Sequence, residues 1–462
     1  MNKLIIPIIA VIILVMGIGG YFVLQQFNLI SLSPQAITTF EECVKADYPV
    51  LLTYPRQCKT PDGRFFKEER PGSDKFVSYP QKFHVEGNKI DDEAGNEVVF
   101  RGVNIAGVIA HSYYTKFGDK SNEKYLPWDE NYFKQISNLG TKIIRLNILP
   151  GEFRESPEDF SFKAIDQSID WASQYQMYVY ITYHGIGFPP TEYYGEGVWK
   201  IEEKYTATRE EMLDYWDKIS KRYKDNKVVA FYEIYNEPTH SGSSGKPTQV
   251  ELEKDWLEWK KFSEEVIDVI RKNDPDAVIL VGGLNLAYDV SFALKNPIER
   301  GGIIYATHPY PCKSEEHNKS WDEAFGNVKE KYPVFATEFS VNGLEDGPIK
   351  CESVQNELRK LVYLEDLIEE AKSYPGDKQK EHELFLKATE RIKNNKTAFD
   401  YLINVREKYK KEIEEYLEDR KISWTGFIFY SIYPEFSMVD GNYNLTEVGE
   451  WFKKWMREKR IK

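Results

Sequence analysis

Short apolar runs alternate along most of this chain with longer, charged stretches whose apolar residues recur every three to four positions. Eight such runs stand out, at residues 98–105, 142–149, 177–183, 228–235, 277–282, 302–307, 333–337 and 422–429. Runs of this length bounded by turn chemistry read as buried strands, and the stretches between them as amphipathic helices. Their repetition predicts βα units around a parallel sheet. Eight of them fit a closed (β/α)8, or TIM, barrel better than a doubly wound sheet, because no Gly-x-Gly-x-x-Gly follows the first run to mark a dinucleotide site. Residues 447–457, with Trp451 and Trp455 four apart, predict the closing helix. Before the first run, residues 83–90 and 97–104 predict a hairpin turning at Gly95-Asn96.

The spacing breaks once. Between Glu338 and Trp424 the chain is about twice as long as one helix and two loops require. The excess, residues 344–395, is charged and helix-prone, with residues 357–371 and 378–393 separated by Tyr374-Pro375-Gly376-Asp377. It predicts an inserted helical hairpin leaving the seventh strand at its C-terminal end, either a wall of the barrel mouth or a solvated excursion.

Residues 4–24 are uncharged and mostly apolar. At 1.5 Å per residue they can cross a hydrocarbon layer of ~30 Å. Lys3 precedes them and no Lys or Arg follows until Lys45, which predicts an uncleaved anchor with a cytoplasmic N-terminus and the bulk outside; a cleaved signal peptide is the alternative. Residues 25–39 read as a tether and residues 40–75 as a small unit and linker, with the barrel over residues 80–462. Cys43 and Cys58 bracket the small unit and suit one local disulfide outside the cell, the alternative being two free thiols. Cys312 and Cys351 fall in the loops after strands six and seven, where a bridge would tie the insertion to the barrel mouth. No metal-ligand spacing accompanies any of the four cysteines, and no cofactor or metal is expected.

A formal charge of −13 disfavours binding to phosphate backbones and removes nucleic acid as a partner, while leaving neutral polymers open. The strand ends carry the chemistry. In order they offer Asn104, then Arg145 and Asn147, His184, Asn236 with Glu237, His308 and Tyr310, Glu338, and finally Trp424 and Phe427. Catalytic groups of such barrels gather at these C-terminal tips. Two strand-end carboxylates, Glu237 and Glu338, suit glycoside cleavage, in which one donates a proton and the other attacks or activates water.

Taken with their order, the motifs Arg101-Gly102-Val103-Asn104, Ile144-Arg145-Leu146, Tyr183-His184-Gly185, Tyr235-Asn236-Glu237-Pro238, His308-Pro309-Tyr310, Thr337-Glu338-Phe339 and Ile422-Ser423-Trp424-Thr425-Gly426, with residues 446–451 after them, resemble those of cellulase-type glycoside hydrolases of family five. The resemblance spans residues 83–453 and implies a retaining β-glycosidase acting on a carbohydrate substrate, a β-glucan or mannan-like chain. It implies Glu237 as acid/base and Glu338 as nucleophile, with Arg145 and Tyr310 donating to Glu338. Asn236 would bind the sugar 2-hydroxyl, and His184 and His308 would orient the sugar and the acid. Phe427 stands where many relatives have a tryptophan platform; Trp424, by strand alternation, points to the barrel–helix interface instead. Tyr193, Tyr194 and Trp199 are further candidate platforms. An exo-glycosidase or transglycosylase, and a non-catalytic carbohydrate-binding surface protein, are the alternatives.

Overall fold

The computed structural model describes residues 37–46, 48–51, 57–67, 79–105, 107–117, 126–196, 200–242, 247–341, 351–374, 378–431 and 437–458. The apolar run at residues 4–24 lies outside them, and among the described residues no helix is long and apolar enough to cross a membrane. The chain divides into two units, Met1–Lys75 and Phe76–Lys462.

In the first unit, Thr39 caps a short helix, Phe40–Lys45, through a reciprocal pairing with Glu42. Three strands, Val50–Leu51, Gln57–Lys59 and Phe65–Lys67, form an antiparallel sheet. The Cys43–Cys58 disulfide joins helix to sheet, with both cysteines fully buried beside Phe40. A unit this small buries little apolar surface, so a covalent staple replaces much of the core.

In the second unit all eight expected strands form: β1 (Arg101–Ile105), β2 (Ile143–Ile148), β3 (Tyr178–Tyr183), β4 (Val229–Glu233), β5 (Ile279–Gly282), β6 (Ile303–Thr307), β7 (Val334–Ala336) and β8 (Ser423–Gly426). Each pairs in parallel with the next, and β8 returns to β1 through Trp424–Arg101, Thr425–Gly102 and Gly426–Val103, closing the barrel. Helices cover it, among them α1 (Arg209–Tyr223) and α2 (Gln249–Asn273), each opened by a threonine capping box at Thr208 and Thr248. Trp424 points outward as strand alternation requires, its ring 4.2 Å from that of Trp455.

The hairpin differs from expectation. It turns at Gly87-Asn88, pairing Phe83–Glu86 with Lys89–Asp92, and Gly95-Asn96 forms a second turn after it. Gly87 has φ +59°, a conformation glycine adopts without strain. At the second turn the Asp92 carboxylate accepts from the backbone N–H groups of Ala94 and Asn96. The hairpin presents Phe83 and Ile90 to the lower barrel, where Phe83, Phe100, Tyr178 and Phe231 meet edge to face at centroid distances of about 5 Å. This aromatic plug fills the N-terminal half of the barrel. Along β2, β3 and β4 the inward positions then change from Ile143, Tyr178 and Phe231 to Arg145, Thr182 and Glu233, so the upper interior is polar.

The insertion also differs. Its first stretch is broken into α3 (Glu352–Leu361) and α4 (Glu365–Lys372); α4 pairs with α5 (Lys378–Asn394) through Arg391–Asp366 and Lys380–Glu370 as the expected hairpin, and α5 leads into a long barrel helix, α6 (Lys396–Asp419). The chain breaks at Val362, which is extended and packs with Val354, Leu358, Ile392 and Leu402 in a separate small core. Asn395 Nδ2 and Arg391 Nη1 donate to the carbonyls of Leu361 and Tyr363, satisfying backbone acceptors freed at the break. The insertion is anchored to the loop after β6 by the Cys312–Cys351 disulfide and by Ser353, whose backbone N–H donates to Glu315 at 2.7 Å. A final helix, α7 (Glu447–Glu458), packs Trp451, Phe452 and Trp455 on β8 and Phe339.

Candidate active site

At the C-terminal end of the barrel the polar interior converges on the Arg145 guanidinium, which is fully buried. Its Nε donates to Glu233 Oε2 at 2.6 Å, Nη1 to Glu338 Oε2 at 2.6 Å and to Asn104 Oδ1 at 3.0 Å, and Nη2 to Asn236 Oδ1 at 2.9 Å. Burial opposes its charge, but the Glu233 and Glu338 carboxylates overcome that and raise its pKa, so the cation is permanent. The second oxygen of Glu338, Oε1, accepts from the Tyr310 hydroxyl at 2.8 Å. Burial, reinforced by Glu338, raises the Tyr310 pKa well above its ordinary value, so this hydroxyl keeps its proton.

Glu237 is placed differently. It follows β4 in a two-residue extension, Glu237–Pro238, that pairs in parallel with Ile186–Gly187 beyond β3. Gly187 has φ +128°, and a Cβ there would lie 2.4 Å from the Tyr194 ring, so only glycine allows the extension to pass beneath that ring. Tyr194 also donates its hydroxyl to the Ala207 carbonyl, which makes it a support of this loop. The Glu237 side chain is more open than that of Glu338, and its Oε1 meets His308 Nδ1 at 3.1 Å. His308 Nε2 lies 3.1 Å from the Thr337 hydroxyl. Burial brings the His308 pKa down to about 4, so the ring is neutral at ordinary pH. The neutral ring therefore places no fixed positive charge beside the Glu237 carboxyl, unlike the guanidinium beside Glu338.

The sequence-derived site therefore assembles around Arg145, Asn236, Glu237, His308, Tyr310 and Glu338. His184 lies beside them at the end of β3, buried, with Nδ1 unpartnered; burial and then the charge of Arg145 push its pKa well down. Phe427 lies just past β8, half-buried, and its backbone N–H donates to the Phe339 carbonyl at 2.8 Å. Tyr193 packs on the hydrophobic core, and Trp199 lies outside the described residues. Two contributors are absent from the sequence reading. Glu233 is a fully buried second carboxylate on Arg145, and Thr182 donates to it at 2.6 Å. The available signal was an acid in the middle of an otherwise apolar strand run, on the inward side with Phe231.

One ligating atom from each of Glu237, His308 and Glu338 lies within 4.8 Å of the others. Such a trio resembles a cation site, but Arg145 already supplies its positive charge. With one oxygen of Glu237 within 4.8 Å of one of Glu338, the two carboxyls stand close together, as the ~5 to 5.5 Å separation of retaining glycosidases requires.

A closed parallel barrel with two unlike carboxylates at its C-terminal mouth is the architecture of a glycoside hydrolase. Residues 91–372, more than half of the chain, match the family described as cellulase (glycosyl hydrolase family 5), and the protein belongs to that family. It is 27% identical over 278 residues to endoglucanase A of Butyrivibrio fibrisolvens, covering 58% of this chain and 54% of that protein. It is 28% identical over 279 residues to endoglucanase E-5 of Thermobifida fusca, covering 58% and 50%. The chain thus spans about half the length of these curated relatives. A β-glucanase from Saccharophagus degradans, solved in its native form and with cellotetraose, superposes with a TM-score of 0.60 at 28% identity, over 86% of this chain and 98% of that one.

Proposed function

We propose that the protein hydrolyses β-glycosidic bonds in a β-glucan or cellulose chain, with retention of configuration. The observation that carries this reading is the pair of close carboxylates in unlike settings: Glu338 takes two donors, Arg145 and Tyr310, one on each oxygen, while Glu237 faces a neutral histidine. Glu338 attacks the anomeric carbon as Glu237 protonates the departing oxygen, forming a glycosyl ester; Glu237 then removes a proton from water, which releases the sugar. Asn236, oriented through Arg145, would bind the sugar 2-hydroxyl, with His184 beside it. Phe427 is the stacking surface at the strand-eight edge. The cellotetraose complex of the Saccharophagus β-glucanase supports a glucan substrate. Product analysis of the full chain on β-glucans, mannans and xylans tests the reading; release of oligosaccharides from mannan or xylan but none from β-glucan or cellulose would contradict it.

We further propose that residues 4–24 anchor the protein with its N-terminus in the cytoplasm and its barrel outside. Support comes from Lys3 before the run, the lack of Lys or Arg until Lys45, and two disulfides. Protease added to intact cells should digest the barrel; a protected barrel with reduced thiols would contradict this placement.

A further inference from the structure

We propose that Glu233 is a positioning residue that serves as the standing counter-ion of Arg145, taking up that cation's charge when Glu338 becomes an ester. The inference rests on Glu338 being the nucleophile. Arg145 sits between two carboxylates at 2.6 Å each, and with Glu233 it is fully shielded from water. In the resting site the three groups carry one net negative charge. When Glu338 attacks, the bond from anomeric carbon to leaving oxygen breaks, the Glu237 proton goes to that oxygen, and a carbon–oxygen ester bond forms at Glu338. The negative charge thereby moves from Glu338 to Glu237. Without Glu233 the buried guanidinium would then face a neutral ester with no anion in contact, and uncompensated buried charge is strongly unfavourable. Glu233 is fixed for this task by the Thr182 hydroxyl at 2.6 Å, and its own Oε1 has no partner, so Arg145 is its main electrostatic neighbour.

The loss should therefore fall on ester formation and not on ester hydrolysis, because the transition states lie between a resting site and an ester that are unequally disturbed. The full-length chain, wild type, Glu233→Gln and Glu233→Asp, is treated with 2,4-dinitrophenyl 2-deoxy-2-fluoro-β-cellobioside. Inactivation reports ester formation and reactivation reports its hydrolysis. Glu233→Gln, nearly isosteric but neutral, should slow inactivation at least 100-fold and leave reactivation unchanged or faster. Glu233→Asp, shorter but charged, should recover at least tenfold of the inactivation rate. The titratable groups around Glu338 are Arg145 from β2, Tyr180 from β3, Tyr205, Glu233 from β4, Glu237 beyond it, and His308 and Tyr310 after β6. Of these only Glu233 is changed, and losing its negative charge should move the acid limb of kcat/KM to lower pH.

Equal slowing of both steps with an unmoved acid limb, or Glu233→Gln outperforming Glu233→Asp, would overturn the proposal in favour of a packing role. If Glu233→Gln does not fold, Glu233→Asp alone decides: inactivation within tenfold of wild type supports the counter-ion role, and a loss beyond 100-fold contradicts it. Mass mapping of the trapped sugar separates the two levels. Label on a residue other than Glu338 would overturn the nucleophile assignment itself, whereas label on Glu338 with symmetrical rates overturns only the role of Glu233.

Discussion

Tyr310→Phe removes one oxygen from the site and little else. The lost group donates to Glu338 Oε1 at 2.8 Å, while Arg145 continues to hold Oε2. Because burial raises the Tyr310 pKa well above the ordinary phenol value, the hydroxyl is a donor throughout the working pH range, and the loss should be independent of pH. A hydrogen bond to a charged group contributes ~1.5 to 3 kcal/mol, and losing it leaves one buried carboxylate oxygen without its donor. At 1.4 kcal/mol per factor of ten this predicts a fall in kcat/KM on an aryl β-cellobioside of about 10- to 150-fold. The loss should exceed any change in KM, since the donor fixes the attacking carboxylate and not the distal sugar. Less than a twofold change in a folded variant would refute the idea that Tyr310 orients Glu338.

Glu338→Gly should abolish turnover and recover with azide, giving an inverted glycosyl azide, whereas Glu237→Ala should keep activity on substrates whose leaving group needs no protonation; equal loss on every substrate without rescue would reverse these roles. His111, buried against Trp128 and Tyr132, has its pKa brought down by burial to about 4, below the ~6.5 of an unfolded histidine. Protonation therefore favours unfolding: its contribution is intact above about pH 6.5 and is lost as pH falls toward 4, by ~3 kcal/mol at 1.36 kcal/mol per unit. His111→Gln should flatten that loss of Tm on the acid side, and a parallel decline would show that other groups govern it. Replacing Cys312 and Cys351 together by serine should lower Tm, since the bridge closes a loop with a sequence separation of 39. It should also raise KM more for long cello-oligosaccharides than for a small aryl glycoside; an unchanged chain-length profile would mark the insertion as solvated surface.

The barrel was legible because each strand is a compact apolar run between charged helical stretches, and all eight runs formed strands. The site was legible where chemistry sits at a strand tip, as at Glu237, His308 and Glu338. Glu233 escaped notice because it lies inside the strand, where its meaning depends on the guanidinium reaching across from β2. The hairpin turn was misplaced because Gly87-Asn88 and Gly95-Asn96 are chemically alike; only the packing of Phe83 and Ile90 into the barrel distinguishes them. Helix propensity ran unbroken through residues 357–371, yet the chain stops its helix at Val362 to fill the small core beside Cys312 and Leu402. That break depends on contacts distant in sequence, which periodicity does not encode.

The stereochemistry of the first product tests the central claim most directly, because it follows from the close approach of the two carboxylates and their unlike partners. Proton NMR of cello-oligosaccharide hydrolysis should show the β-anomer of the new reducing end first, with the α-anomer appearing later by mutarotation. Initial appearance of the α-anomer would contradict the retaining assignment of Glu237 and Glu338.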